Sequence, residues 1–234
     1  HQHEVAAATA ILLACSCALT ARRTRTRVEH RTLVDHRSRA PVAANVRAHK
    51  MSSSPPALII IDMQCGMSGP SAGRRNNAEA EAHIASLLAA WRAANFPVVH
   101  VKHVSRTPGS PFWPGQVGVD FQPQFVPTTD EYIVEKSVPD AFINTGLERW
   151  LRARGIAQLF VCGVSTNISV ESSTRTAGNL GFQVTVISDA TFAFEKSDYD
   201  GVTRTAEEVH AMSLANLKGE FATLAKTTEV LSAL

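Results

Sequence analysis

Short apolar runs alternate along the chain with longer stretches in which apolar side chains recur every three or four positions. A short apolar run bounded by turn residues is typical of a buried strand, whereas the wider spacing is typical of one face of a helix. The predicted strands are residues 57–61, 96–104, 132–136, 156–164, 182–188 and 221–225. The predicted helices are residues 77–94, 143–154, 166–180 and 203–217.

This order of strands and helices predicts an α/β fold. Parallel strands need long connections, which helices supply, and these crossovers are right-handed. We expect a doubly wound, mainly parallel sheet of six strands with helices on both faces, a Rossmann-like arrangement of three layers. No internal repeat or low-complexity segment interrupts the pattern.

The first part of the chain differs from the rest. We expect residues 1–54 to be a basic leader or linker outside the fold, and residues 55–234 to form the domain. The apolar run at residues 6–19 is shorter than the roughly 20 residues of a membrane-spanning helix, so we expect no membrane partner. We expect a cytoplasmic protein, and the Ser- and Pro-rich run directly after Met51 is typical of a linker or of the natural start of a cytosolic protein. The alternative is an organelle protein, because an arginine-rich, acid-poor leader is typical of a transit peptide.

The net charge of +2 hides an asymmetry, because residues 1–50 carry +6 and the remainder of the chain carries −4. Nucleic-acid binding draws on clustered Lys and Arg, so this mildly acidic body predicts no nucleic-acid partner. The four cysteines lack the pattern of a disulfide framework. Cys162 lies in an apolar run, where a free cysteine behaves as a small core residue. A reducing compartment fits this cysteine usage.

Polar and charged residues stand at the ends of three predicted strands. Asp62 and Gln64 follow the first strand, His103 stands at the end of the second, and Lys136 ends the third. Ligands bind beyond the carboxyl ends of strands in such a sheet, where a carboxylate and an ammonium can face one cavity. A single aspartate after a strand is more often a turn former or a helix cap, so the joint pattern carries the argument.

Four segments carry a more specific joint pattern. They are IIIDMQ (59–64), VEKSVPDAF (134–142), VCGVSTNISVESSTRTAGNLGF (161–182) and VISDAT (186–191). Together they resemble the isochorismatase-like cysteine hydrolases, over a region from about residue 57 to the end of the chain. The resemblance is most specific at residues 163–170, where the family pattern G-V-x-T-x-x-C-V meets GVSTNISV. Ser169 stands at the position of the family's nucleophilic cysteine.

The resemblance implies a hydrolase with Asp62, Lys136 and Ser169 at its catalytic centre. Asp62 would be the general base, Lys136 would hold that carboxylate charged at a low pKa and position the substrate, and Ser169 would replace the cysteine. Backbone amides near the nucleophile form the family's oxyanion hole, which maps to Ser165 and Ser169. The resemblance also implies a cis peptide bond between Val164 and Ser165.

The serine at position 169 leaves three accounts open. It is an engineered replacement of cysteine, a natural serine as in the isochorismatase branch, or the mark of an inactive binding homologue. A serine hydroxyl is much harder to activate than a thiol, and the motif places no histidine beside it. Isochorismatases hydrolyse a vinyl ether without a covalent intermediate, which is the alternative function. Ile61 before Asp62 and the EKSVPDAF block favour the amide-cleaving branch, so we expect hydrolysis of a small amide or related C–N bond.

The irregular segment at residues 105–127 is expected to cover the carboxyl edge of the sheet, where long loops commonly line a substrate site. The candidates for the substrate pocket are Gln64, His103, Phe112 and Trp113. For the two aromatic residues, a contact between subunits is an equally good interpretation.

Other expectations concern cofactors and partners. The loop after the second strand contains no histidine, so we expect no metal site, and we expect no cofactor. His210 lies on a predicted helix beside apolar residues and is expected to be packed or to lie in an interface. The family resemblance implies a homo-oligomer, a dimer or tetramer, that acts on a small-molecule substrate.

Overall fold

A computed structural model describes residues 54–69 and 72–234. Six strands form one sheet in the order β3-β2-β1-β4-β5-β8, and every neighbouring pair is parallel. The strands are β1 (Ala57–Ile61), β2 (Val98–His103), β3 (Tyr132–Lys136), β4 (Gln158–Val164), β5 (Gln183–Phe192) and β8 (Thr223–Ala225). Two further strands, β6 (Lys196–Ser197) and β7 (Thr203–Arg204), form a small antiparallel hairpin.

Five helices cover the sheet. They are α1 (Ala80–Ala93), α2 (Leu147–Ala153), α3 (Glu171–Asn179), α4 (Ala206–Leu217) and α5 (Thr227–Ala233). A π turn at Thr166–Val170 leads directly into α3. Short 3-10 turns lie at Cys65–Met67, Val117–Val119 and Pro123–Phe125.

The core has two halves, one on each face of the sheet. Strand β1 is buried along its whole length. Its residues Ile59 and Ile61 pack in the half that also holds residues of α2, α3 and α4, whereas Leu58 and Ile60 pack with residues of α1 and α5. Successive side chains of a strand point to opposite faces, so both faces of the central strand are covered. The structure therefore confirms the doubly wound, three-layer fold with six parallel strands.

Several boundaries differ from the sequence prediction. The predicted helix at 166–180 starts instead as a π turn. The predicted helix at 203–217 begins only at Ala206, because Thr205 caps it, with the Thr205 hydroxyl accepting the Glu208 backbone N–H while the Glu208 carboxylate accepts the Thr205 N–H. The C-terminal helix α5 was not predicted. It is only seven residues long, which is too short to give a clear periodic signal.

Strand β5 extends beyond its predicted end because the β4–β5 pairing contains an irregularity. The register shifts between Val161, which pairs with Val186, and Gly163, which pairs with Thr191. Gly163 has a φ of 115°, and a Cβ atom there would lie 2.1 Å from the carbonyl oxygen of Ile61. Only glycine fits so close an approach of two backbones. The regular β1–β4 pairing, which runs to Ile61 and Gly163, places the end of β4 and the turn that follows it beside the end of β1.

None of the helices within residues 54–69 and 72–234 combines the length and the apolar character needed to cross a bilayer. The expected leader at residues 1–54 lies, apart from its last residue, outside the described residues.

Candidate active site

The side chains of Asp62, Lys136 and Ser169 meet at the carboxyl edge of the sheet. The Lys136 Nζ donates to Asp62 Oδ2 at 2.7 Å and to Ser169 Oγ at 3.3 Å. All three residues are buried, with 1%, 3% and 7% of their surface exposed. Three residues that are far apart in sequence therefore form one contiguous cluster around the Lys136 ammonium.

The order of the strands explains this convergence. Asp62 directly follows β1, Lys136 is the last residue of β3, and β2 lies between these two strands. A lysine side chain is long enough to cross the intervening strand, whereas a shorter cation is not. Ser169 comes from the other side, in the turn after β4, which pairs with β1. Asp62 itself has a φ of 54°, an uncommon conformation for a non-glycine residue that turns its side chain away from the strand direction.

The pKa of Asp62 differs from the expectation drawn from its sequence context. Burial raises the pKa of the Asp62 carboxyl, and the opposing effect of the Lys136 ammonium does not fully offset it. The expectation that Lys136 keeps this pKa low was therefore wrong. Desolvation penalises the carboxylate more than one hydrogen-bonded ammonium stabilises it. A carboxylate with a raised pKa is a better proton acceptor, and in its protonated form it is a competent donor at higher pH.

One oxygen of Asp62 is free within the described part of the chain. Oδ2 accepts the Lys136 hydrogen bond, whereas the buried Oδ1 has no hydrogen-bond partner there. Leaving a buried carboxylate oxygen without a donor is costly, so such an atom points to a role with a substrate or nucleophile. Because Lys136 donates to Ser169 Oγ, the hydroxyl proton of Ser169 is not needed for that contact. The geometry thus suits transfer of this proton to Asp62.

The turn that carries Ser169 has an unusual backbone. Within the π turn, the Ser165 carbonyl accepts hydrogen bonds from the N–H groups of Ile168 at 3.1 Å and Val170 at 3.2 Å. The Val164–Ser165 peptide bond is cis, as the resemblance implied. π turns are rare and occur frequently at functional sites. The oxyanion role of the Ser165 and Ser169 backbone stays a prediction.

Gln64 lies near the cluster, but its side chain hydrogen bonds the backbone of neighbouring segments. It is fully buried, and its Nε2 donates to the carbonyls of His103 at 2.9 Å and Val119 at 2.7 Å. Its Oε1 accepts the His103 N–H at 2.8 Å. These bonds use both protons of the amide group and bind the end of β2 to the 117–119 turn. The side chain therefore positions the pocket wall, and it leaves no donor for the substrate contact that the sequence suggested.

An open cavity of about 500 Å³ has Lys136 in its wall, whereas Asp62 and Ser169 do not line it. Trp113 lines it, together with the exposed side chains of Arg106, Glu135 and Asn144. The structure therefore brings Trp113 to the pocket. Arg106, Glu135 and Asn144 were missed by the sequence analysis, although the position of Glu135 beside Lys136 at a strand end was an available signal.

Phe112 and His103 form a layer next to the cavity rather than its lining. Their rings meet edge to face, with centroids 5.9 Å apart. Burial lowers the pKa of the His103 imidazole, and the neighbouring Lys136 ammonium lowers it further. A neutral His103 adds no second positive charge beside Lys136. Within the described residues, no group of three or more His, Cys, Asp or Glu residues lies close enough to hold a metal ion.

Comparison with known proteins gives consistent matches. The family model described as the isochorismatase domain matches residues 56–229. A solved hydrolase of the isochorismatase family from Chromobacterium violaceum is 48% identical, with a TM-score of 0.76, over 78% of this chain and 95% of that one. The isochorismatase family protein YrdC of Bacillus subtilis is 37% identical over 75% of this chain and 94% of that protein. Ureidoacrylate amidohydrolase of Variovorax paradoxus is 31% identical over 60% of this chain and 70% of that protein.

Proposed function

This chain belongs to the isochorismatase family of hydrolases, and from that premise we propose that it cleaves a small amide or related C–N bond at the Asp62–Lys136–Ser169 cluster. The observation that carries the proposal is the shared Lys136 ammonium, which donates both to Asp62 and to the Ser169 hydroxyl, while the buried Oδ1 of Asp62 has no hydrogen-bond partner among the described residues. A base, a cation and a nucleophile are then arranged as nucleophilic catalysis requires.

The proposed reaction has two stages. Ser169 Oγ attacks the carbonyl carbon while its proton passes to Asp62, and the resulting oxyanion is stabilised by backbone N–H groups of the turn after β4. Asp62 then gives the proton to the leaving nitrogen, and the C–N bond breaks to leave an acyl ester on Ser169. In the second stage, water gives a proton to Asp62 and attacks the ester carbonyl. The bond to Ser169 Oγ then breaks as Asp62 passes the proton to Oγ, which releases the acid and restores the Ser169 hydroxyl and the Asp62 carboxylate.

Lys136 has a distinct part in both stages. Its ammonium lies 3.3 Å from Ser169 Oγ, and a positive charge at that distance stabilises the oxygen as it loses its proton. The raised pKa of Asp62 helps the same step, because a more basic carboxylate holds the transferred proton better.

The neighbourhood of the cluster supports a small substrate. The cavity of about 500 Å³ lies within the lower half of the usual range for small-molecule sites, about 300–1,000 Å³. Trp113 offers an apolar ring surface, and the polar groups of the wall can orient a planar amide or ureide. The similarity to a ureidoacrylate amidohydrolase also supports C–N bond hydrolysis.

Replacing Ser169 with cysteine tests the proposal. A thiol reaches its nucleophilic form far more readily than a hydroxyl, so we expect Ser169→Cys to hydrolyse an amide or ureide of a small panel about 10-fold or more faster than the serine form. Ser172→Cys, in helix α3 directly after the turn that carries Ser169, is the matched control and should not gain activity. If Ser169→Cys hydrolyses nothing on the panel and its new thiol also fails to react with iodoacetamide, the proposal is wrong.

A second candidate is cleavage of a vinyl ether without a covalent intermediate. Ser169 favours it, because this serine stands where the family pattern has the nucleophilic cysteine, and a hydroxyl is harder to activate than a thiol. The raised pKa of Asp62 also favours it, because a protonated Asp62 can donate its proton to a vinyl ether. Isochorismate assayed with the unaltered chain distinguishes the two candidates. Turnover that survives Ser169→Ala supports the non-covalent reaction, whereas amide hydrolysis that disappears in Ser169→Ala supports the covalent one.

Acid is expected to abolish amide hydrolysis at a pH above the ordinary pKa of an aspartate. Burial raises the pKa of Asp62 in the folded protein, so the carboxylate takes up a proton at a higher pH than an exposed one and then cannot act as the base. The kcat/KM should therefore fall as the pH decreases through this raised value. A pH profile of kcat/KM checks this, and an acid limb at or below the ordinary aspartate pKa would contradict it.

A further inference from the structure

The turn that carries the nucleophile, Thr166–Val170, is held from outside by helix α4. The residue before the turn, Ser165, makes no side-chain capping hydrogen bond. The first residue of the turn, Thr166, instead makes two hydrogen bonds to side chains of α4. Its hydroxyl lies 2.8 Å from His210 Nδ1, and its carbonyl lies 2.9 Å from the Ser213 hydroxyl. His210 and Ser213 are three residues apart and therefore share one face of α4.

The same face of α4 also reaches the end of the turn. The Ser213 hydroxyl lies 2.6 Å from the carboxylate of Glu171, the residue that follows the turn. A hydroxyl has one proton, so Ser213 donates to Thr166 or to Glu171 at any one time. Asn216 makes a longer contact of 3.4 Å to the same carboxylate. The Nδ1 contact of His210 is therefore the one directed hydrogen bond from α4 to the Thr166 side chain among the described residues.

His210 is itself fixed in position. It is buried, with 9% of its surface exposed, and its Nδ1 lies within hydrogen-bonding distance of the Thr166 hydroxyl. Burial lowers the pKa of the imidazole, which favours the neutral ring. In the neutral tautomer that carries its proton on Nε2, the Nδ1 lone pair is available to accept the Thr166 hydroxyl proton. Hydrogen bonds therefore link α4 directly to the nucleophile turn.

We propose that His210 is a positioning residue of this hydrolase, which holds the nucleophile turn through Thr166 and so fixes Ser169 against Lys136. This inference rests on the proposed role of residue 169 as nucleophile. The contact that it would maintain is the 3.3 Å separation of Lys136 Nζ and Ser169 Oγ. A displacement of about 1 Å in such a contact can cost about 100-fold in rate.

Two substitutions of His210 separate this role from simple packing. The side chain in His210→Asn places a hydrogen-bonding atom close to the Nδ1 position and can still accept from Thr166. The side chain in His210→Gln places its polar atoms near the Nε2 position and cannot. Met212→Ala, at an exposed residue of the same helix, is the matched control.

The readout is the reactivity of residue 169, measured in a Ser169→Cys background. We expect His210→Gln to slow the alkylation of the thiol at position 169 by iodoacetamide about 10-fold or more, followed by mass spectrometry of the peptide that contains it. His210→Asn and Met212→Ala should leave the rate within about 3-fold of the background. Thr166→Val should slow it as His210→Gln does, and the double variant should be no slower than either single one.

The outcomes distinguish this inference from the proposed function. A folded His210→Gln variant, shown by circular dichroism, that is alkylated at the background rate would overturn the positioning role. Equal slowing in His210→Asn and His210→Gln would also overturn it, because packing rather than the Nδ1 contact would then be responsible. The measurement needs no turnover, so an absence of amide hydrolysis would count against the proposed function alone.

Discussion

Asp62→Asn is expected to reduce kcat/KM for the amide or ureide substrate by about 10³-fold. Asparagine has nearly the same shape but cannot accept the proton from Ser169 or return it to the leaving nitrogen, and general acid–base catalysis contributes about 10²–10⁴-fold. The variant keeps a polar side chain beside Lys136, so the pocket should stay filled. Steady-state kinetics on the substrate found in the panel measures the effect.

The control for this prediction is Asp198→Asn. Asp198 lies in the β6–β7 hairpin and pairs with Arg204 at the surface, so its amide variant should keep activity within about 2-fold. Circular dichroism shows whether each variant is folded. A folded Asp62→Asn variant with more than about a tenth of the original kcat/KM would remove Asp62 from the role of base.

Lys136→Met is expected to destabilise the fold by about 3–5 kcal/mol at neutral pH. Among the described residues, Lys136 is the only cation that forms an ion pair with Asp62. Removing one partner of a buried ion pair leaves the charge of the other uncompensated. The double variant Asp62→Leu/Lys136→Met removes both charges, so it should lose much less stability than Lys136→Met alone. Urea unfolding measures the free energy of each variant.

The stability loss of Lys136→Met should also depend on pH. A group whose pKa is raised in the folded state binds its proton more tightly there, so its stability contribution is complete at low pH and is lost as the pH rises through the folded pKa. Without Lys136, the main effect that opposes burial is lost, so the pKa of Asp62 rises further. The deficit relative to the unaltered protein should therefore shrink on acidification. A deficit that grows as the pH falls would contradict this account.

Lys102→Met is the matched control for Lys136→Met. Lys102 lies on the neighbouring strand β2, 5.7 Å from the centre of the Phe121 ring. Such a contact at a partly exposed site contributes about 0.5–1 kcal/mol. A loss of similar size in Lys102→Met and Lys136→Met would show that the buried ion pair has no special weight.

The sequence predicted the strands of the sheet where burial alone decides the structure. β1 is an unbroken apolar run that is buried on both faces, and its predicted and observed limits coincide. β3 was also placed correctly. The meeting of Asp62 with Lys136 followed from strand ends at one edge of a parallel sheet, and the motif added Ser169.

Other features depend on contacts between distant segments and leave no local pattern. The π turn depends on contacts between Thr166 and the facing side of α4. Thr166 and His210, which form one of these contacts, are more than 40 residues apart in the sequence. The structural role of Gln64 depends on two carbonyls, one at the end of β2 and one in the turn at Val117–Val119. Arg106 reaches the cavity from a segment without hydrophobic periodicity, and Asn144 lies before the start of α2 although the sequence placed it inside the predicted helix at 143–154, so neither placement could be read from the sequence.

The expectation of a low pKa for Asp62 was wrong for a different reason. The sequence shows a carboxylate and an ammonium that converge, which suggests a lowered pKa. The outcome depends on how completely the pair is removed from water, and only 1% of the surface of Asp62 is exposed. At that depth, desolvation outweighs the ion pair.

The cooperation of residue 169 with Lys136 and Asp62 is tested most directly by the pH dependence of thiol alkylation at position 169. In Ser169→Cys, the account predicts that the rate of reaction with iodoacetamide rises with a midpoint below the ordinary thiol pKa of about 8.5, because the thiol proton can pass to Asp62 and Lys136 stabilises the thiolate. Adding Lys136→Met should move the midpoint to higher pH. A thiol at position 169 that titrates as an ordinary cysteine, with or without Lys136, would contradict the account.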